Sequence, residues 1–172
     1  MALARQIDAD YAGRHLTLVV VLKGAMIFAA DLVRRLTIPV TIEFVSASSY
    51  GAATRSSGNV ALGAPDTIEL AGRDTLIVED IVDSGLTCRA LIESLRQRGP
   101  ASLALCTLLR KQIAGAAPID ISYTGFTIPD RFVVGYGMDY AERYRNLPDI
   151  CVLNLERAPT LVTAYPAPGG KR

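Results

Sequence analysis

TLIVEDIVDSGLT, residues 75–87, is the stretch around which the chain is organised. Thr75, Leu76, Ile77 and Val78 form a short apolar, β-branched run, the pattern of a strand buried on both faces. Glu79 and Asp80 stand where that run gives out. Asp83 opens an Asp83-Ser84-Gly85 turn, and Cys88, Leu91, Ile92 and Leu95 then recur at the spacing of one helix face. Packing alone accounts poorly for three carboxylates so near an apolar strand.

The same pattern repeats on either side. Residues 16–22 (LTLVVVL) and 102–109 (SLALCTLL) predict buried strands, 40–47 (VTIEFVSA) predicts another strand, and 119–123, 132–134 and 150–155 predict three more. Residues 1–14 and 25–36 carry apolar positions at helical spacing, with Gly13 ending the first helix. Residues 60–70 predict a hairpin or two short strands around Ala64-Pro65-Asp66. Residues 48–59 (SSYGAATRSSGN) are a small, polar, glycine-bearing loop, and 135–146 a loop dense in aromatics and charge. Residues 158–172, with three prolines and two terminal glycines, predict a flexible tail. Alternating strands and helices imply an α/β fold with a mostly parallel sheet, whose ligands bind at the carboxyl ends of the strands. Lys23-Gly24, Glu79-Asp80 and Lys111 each follow an apolar strand, so that topology brings them to one edge.

Composition narrows the class. The 172 residues are 50% hydrophobic and 20% charged, which suits one globular domain. No apolar run approaches the roughly 20 residues of a membrane span, and no secretory signal pattern opens the chain. Cys88, Cys106 and Cys151 lack metal-ligand spacing and read as reduced core thiols, so a cytoplasmic location is expected. A net charge of +1 without a long basic run argues against an extended nucleic-acid surface.

The acidic turn suits a phosphate. Ser84 and Thr87 supply hydroxyl donors, Gly85 admits close backbone approach, and the free N–H groups of the following helix face the turn. Helix capping by Asp83 or Ser84 explains those two residues equally well. It leaves Glu79 and Asp80 unexplained. Adjacent carboxylates beside a phosphate pocket suit ribose hydroxyls, and they can help hold Mg²⁺. No GxxxxGK[ST], GxSxG or HExxH occurs, and Gly135-Tyr136-Gly137 lacks the third glycine of a dinucleotide turn. His15, ahead of a strand, reads as structural or exposed rather than catalytic.

Residues 76–87 closely resemble the phosphoribosyl-pyrophosphate (PRPP) motif of type I phosphoribosyltransferases. VVLKGAMIFAADL (20–32), EFVSASSYG (43–51) and GFTIPDRFVVGYGMDYAERYRNLPDI (125–150) are similar to the hypoxanthine-guanine branch of that family, and the likeness runs from about Ile7 to Leu155. It implies transfer of 5-phosphoribosyl from PRPP to N9 of a 6-oxopurine, giving IMP or GMP and pyrophosphate, with Mg²⁺. It implies a domain over 1–157 whose small hood is built from the N-terminus and about 126–157. A homodimer or homotetramer is the implied assembly.

By the same resemblance, Asp83, Ser84, Gly85, Leu86 and Thr87 hold the 5′-phosphate, Glu79 and Asp80 the ribose. Asp83 is also the base or acid at purine N7. Lys23, Gly24 and Arg145 meet pyrophosphate, with an unusual cis peptide expected at Leu22-Lys23. Lys111 donates to the purine O6, Phe132 stacks on the base, the Val133 backbone reads its edge, and Asp139 lies near base and pyrophosphate. Glu79, Asp80 and Asp139 are the implied Mg²⁺ residues. Ser49 and Tyr50 form the tip of a closing lid. The chain departs from the pattern in a shorter N-terminal segment and in Leu86, where others carry lysine or asparagine. Two alternatives stand beside this reading: a PRPP-fold regulator that binds nucleotide without turnover, and a phosphoribosyltransferase for another base.

Overall fold

The computed structural model describes residues 2–49, 60–63, 68–115, 118–154 and 160–165. In chain order the elements are α1 (Ala2–Asp10), β1 (Leu16–Leu22), α2 (Met26–Val33), β2 (Val40–Ser49), β3 (Val60–Gly63), β4 (Asp74–Val82), α3 (Leu86–Arg96), β5 (Ser102–Gln112), β6 (Tyr123–Pro129), β7 (Val133–Val134), β8 (Ile150–Asn154) and β9 (Thr160–Tyr165). The main sheet runs β3-β2-β1-β4-β5-β6, and within it β2, β1, β4, β5 and β6 are mutually parallel.

Side-chain alternation divides each central strand between two cores. On one face Leu18 and Val20 of β1 and Leu76 and Val78 of β4 pack with α1 and α2 through Ile7, Phe28 and Leu32. On the other, Val19, Val21 and Ile77 pack with Leu91 and Leu95 of α3. Burial on both faces explains why these strands read as continuous apolar runs.

Several boundaries differ from the sequence expectation. β4 continues through Glu79 and Asp80 to Val82, because Ile81 and Val82 pair with Leu109 and Arg110 of β5. β5 likewise runs on to Gln112, so Lys111 lies within a strand, paired with Ile128. The strand expected at 119–123 starts only at Tyr123. Of the expected 60–70 hairpin, Val60–Gly63 folds back antiparallel on β2, and 64–67 lie outside the described residues.

A second sheet, β7-β8-β9, is antiparallel. Part of the expected flexible tail is therefore a strand: Thr160–Tyr165 pairs with β8 along its length. α1 packs into the main core with Leu3, Ala4 and Ile7, and residues 126–129 belong to β6. The second sheet begins at Val133 and closes with β9.

Candidate functional site

A cavity of about 840 Å³ opens at the carboxyl ends of β1, β4 and β5. Parallel strands end there together, so residues far apart in sequence meet.

The sheet supplies its floor. Glu79 is buried; its Oε1 accepts a hydrogen bond from Asp80 N (3.3 Å), and Cys88 Sγ donates to Oε2 (3.9 Å). Burial, and then the Asp80 charge, hold the Glu79 carboxyl well above the ordinary glutamate range. Burial likewise pushes the Cys88 thiol up, which keeps it an inert, neutral neighbour. Asp80 accepts from Ile81 N at 2.9 Å and stands directly against Gly24: a Cβ on Gly24 would lie 1.9 Å from Asp80 Oδ2. Only glycine lets the Lys23-Gly24 connection rest on that carboxylate. The Leu22-Lys23 peptide is cis, as the resemblance implied.

The turn between β4 and α3 forms one wall, lined by Asp83, Ser84, Gly85 and Thr87. Gly85 is the N-cap residue of α3, at φ +81, and no side chain caps it there. The Asp83 carboxylate is engaged elsewhere. Lys111 Nζ donates to Asp83 Oδ2 at 2.8 Å and to Asp130 Oδ1 at 3.2 Å, with only 9% of the lysine side chain exposed. Leu86 does not line the cavity; its side chain is turned to solvent.

The opposite wall comes from the small sheet and its loop. Phe132 lines the cavity and packs edge-on against Tyr140, ring centroids 5.7 Å apart. Val133 is buried in β7, paired with Val152, and its side chain stays outside the cavity lining. Arg145 Nη1 donates to the Gly137 carbonyl (2.9 Å), and Nη2 pairs with Asp139 Oδ1 (2.8 Å) and Glu142 Oε1 (3.3 Å). Asp139 Oδ2 accepts from Glu142 N at 2.9 Å. Lys23 Nζ reaches across to Glu142 Oε2 at 3.0 Å.

Besides the Lys23–Glu142 pair, two contacts tie this loop to the main domain. Gly137, at φ +101, lies so close to Gly24 that a Cβ would approach the Gly24 carbonyl oxygen to 2.2 Å. Tyr136 Oη donates to Asp31 Oδ2 of α2 at 2.5 Å. Burial pulls the Asp31 carboxyl up, but the bonds from Tyr136 and Arg34 outweigh it and leave it below the usual range.

The structure thus brings Lys23, Gly24, Glu79, Asp80, Asp83, Ser84, Gly85, Thr87, Lys111, Phe132, Asp139 and Arg145 to one cavity. Ser49 ends β2, its side chain outside what is described, and Tyr50 lies outside the described residues. His15 bonds Thr41 Oγ1 ahead of β1, away from the cavity, consistent with a structural role. Cys88, Cys106 and Cys151 are free, buried thiols. Two residues escaped the sequence reading: Asp130, the second partner of Lys111, and Glu142, which joins Lys23 to Arg145. Both fall inside the 125–150 stretch that carried the family resemblance, and that placement was the available signal.

Comparison with known proteins accords with this geometry. Residues 1–141 match the family model for the phosphoribosyl transferase domain. The chain is 50% identical over 158 residues to a hypoxanthine-guanine phosphoribosyltransferase of Mycobacterium avium, covering 88% of this chain and 78% of that protein. A crystal structure of a hypoxanthine-guanine phosphoribosyltransferase from Bacillus anthracis superposes with TM-score 0.82 at 45% identity, covering 88% of this chain and 89% of that one. A mutant hypoxanthine phosphoribosyltransferase from Trypanosoma cruzi, solved with the product IMP, superposes with TM-score 0.81 at 40% identity, covering 90% of this chain and 84% of that one.

Proposed function

This chain belongs to the hypoxanthine-guanine phosphoribosyltransferase family, and from that membership we propose how its cavity divides the work of purine salvage. The enzyme transfers 5-phosphoribosyl from PRPP to N9 of a 6-oxopurine. The C1′–N9 bond forms as the C1′–O bond to pyrophosphate breaks. The β4–α3 turn takes the 5′-phosphate on backbone N–H groups and the Ser84 and Thr87 hydroxyls. Asp80 and Glu79 face the ribose hydroxyls, and the Asp80 carboxylate favours positive charge developing on the sugar ring. Lys23 and Arg145 receive the departing pyrophosphate.

One observation carries the assignment of the base. Lys111 Nζ has three hydrogens, and Asp83 and Asp130 take two of them. The third is left for the purine O6. An exocyclic amino group there would meet a donor with a donor, so adenine is rejected. Asp83, beside the same ammonium, takes or returns the proton at N7. Phe132 stacks on the ring, and the Val133 backbone reads its edge.

The acids suit Mg²⁺ in the way that ion is usually held, by one or two carboxylates with substrate oxygens completing its shell. Among the described residues no group of three or more ligand side chains converges, which fits such an open site. Asp80 and Asp139 would hold the ion; buried Glu79, pushed toward its neutral form, is better suited to the ribose. When bound, Mg²⁺ neutralises charge on the pyrophosphate. Ser49, at the end of β2, and Tyr50 after it are the proposed lid tip. Buried reduced thiols suit a cytoplasmic enzyme, and a homodimer or homotetramer is the proposed assembly; no helix among the described residues is long and apolar enough to cross a membrane.

The test is nucleotide formation from PRPP and Mg²⁺ with hypoxanthine, guanine, xanthine, adenine and uracil in turn. IMP or GMP is expected, with no product from adenine or uracil. Nucleotide binding without turnover of any base would instead establish a regulator.

A further inference from the structure

Glu142 stands between the two cations assigned to pyrophosphate. Its Oε2 accepts from Lys23 Nζ at 3.0 Å and its Oε1 from Arg145 Nη2 at 3.3 Å. Lys23 and Arg145 line the cavity, whereas Glu142 closes on them from outside it. The backbone commits the carboxylate to that position. Ala141 and Glu142 adopt φ +50 and +62, a region L residues seldom enter, and Glu142 N is held by Asp139 Oδ2. The hydrogen bond from Lys23 and the charge of Arg145 keep the carboxyl below the ordinary glutamate range, which favours its ionised form.

We infer that Glu142 is an internal stand-in for the leaving group: it occupies Lys23 Nζ and shares Arg145 Nη2 with Asp139 while the pyrophosphate subsite is free, and it reclaims them as pyrophosphate departs. This rests on the assignment of Lys23 and Arg145 to pyrophosphate. The Lys23–Glu142 pair is 66% exposed on both sides, and exposed pairs exchange partners readily. A multiply charged pyrophosphate competes for the same N–H groups and wins, but its net affinity is lowered by the pairs it must displace. Product release limits turnover in many enzymes, and a carboxylate placed to take back both cations relieves that step.

The experiment is inhibition of the forward reaction by added pyrophosphate. Glu142→Gln keeps the size of the side chain and its backbone bond to Asp139 but removes the charge. It is expected to lower the inhibition constant for pyrophosphate by about threefold or more, to lower the KM for PRPP in step, and to leave the KM for hypoxanthine within about twofold. An unchanged or raised inhibition constant overturns the inference. So does an effect of Glu142→Gln that is equally large in a Lys23→Ala background, because a stand-in acts through its partner and a general charge effect does not. Lys23→Ala and Arg145→Gln alone separate the two levels. If neither weakens pyrophosphate, the subsite assignment has failed. If both do while Glu142→Gln is silent, only the stand-in has.

Discussion

The main sheet and the loop above the small sheet face one another across a single cavity, and they carry charge in opposite styles. On the sheet, Glu79 and Lys111 are almost wholly withdrawn from water; Glu79 is held by Asp80 of its own strand, and Lys111 by Asp83 and Asp130, each one residue past the end of a strand. In the loop, Glu142, Asp139 and Arg145 pair with one another and with Lys23 from the end of β1, at greater exposure and around residues at positive φ. Groups fixed in advance lower a barrier without reorganising during the reaction. Paired, exposed groups can trade partners as ligands come and go. On the proposed assignment, bond-making falls to the ends of β4 and β5, and the traffic of pyrophosphate to the loop and the Lys23 cation it pairs with.

The deepest cut into this division is Asp83→Asn. A base on the sheet side should cost about 10²- to 10⁴-fold in kcat, with the KM for PRPP changed only severalfold. Steady-state kinetics showing equal losses in both would remove Asp83 from the chemistry. Next comes Lys111→Ala, which should raise the KM for hypoxanthine or relax rejection of adenine, costing about 10- to 100-fold in kcat/KM. If both quantities hold, O6 is read elsewhere. The seam between the two regions is tested by Gly137→Ala, whose added methyl collides with the Gly24 carbonyl at positive φ. Calorimetry should find Tm lower by several degrees, about 2–4 °C for each kcal/mol of strain, and activity reduced. A variant as stable as the parent would mean that the loop does not rest on Gly24.

Glu79→Gln should give the smallest effect and one of opposite sign. The folded state raises the Glu79 carboxyl, so its neutral form is favoured there and stability is lost as pH climbs from the ordinary glutamate range toward the raised value. Glutamine removes that loss. The variant should match the parent near about pH 4 and gain about 2–4 °C in Tm toward neutrality, while losing affinity for PRPP. A gain independent of pH would mean that Glu79 is ionised at no cost in the fold.

Residues 75–87 were legible because everything they do is local: the apolar run, the acids and the turn are contiguous, and each has its own physical signature. The cavity's other half was not. Lys111 meets Asp130 across 19 positions and Lys23 meets Glu142 across 119, and an exposed acid in a charged loop looks the same in sequence whether or not a cation waits for it. The ends of β4 and β5 were read too early for a related reason. Strand length is set by the partner's hydrogen bonds, and Ile81, Val82 and Lys111 continue pairing past the last fully apolar position. β9 was hidden by its surroundings: Thr160–Tyr165 reads TLVTAY, a fair strand sequence, but the prolines and glycines around it suggested a tail.

That last strand has a practical bearing. β8 is the middle of its sheet only because β9 covers its far edge. Without Thr160–Tyr165, β7 and β8 would be a bare two-stranded ribbon, of a kind that scarcely holds together in water, with a row of open backbone groups inviting a second molecule. The same ribbon leads into Phe132. Trimming the chain before residue 160 in pursuit of a better-behaved protein would therefore favour aggregation and loosen the shelf proposed to carry the purine.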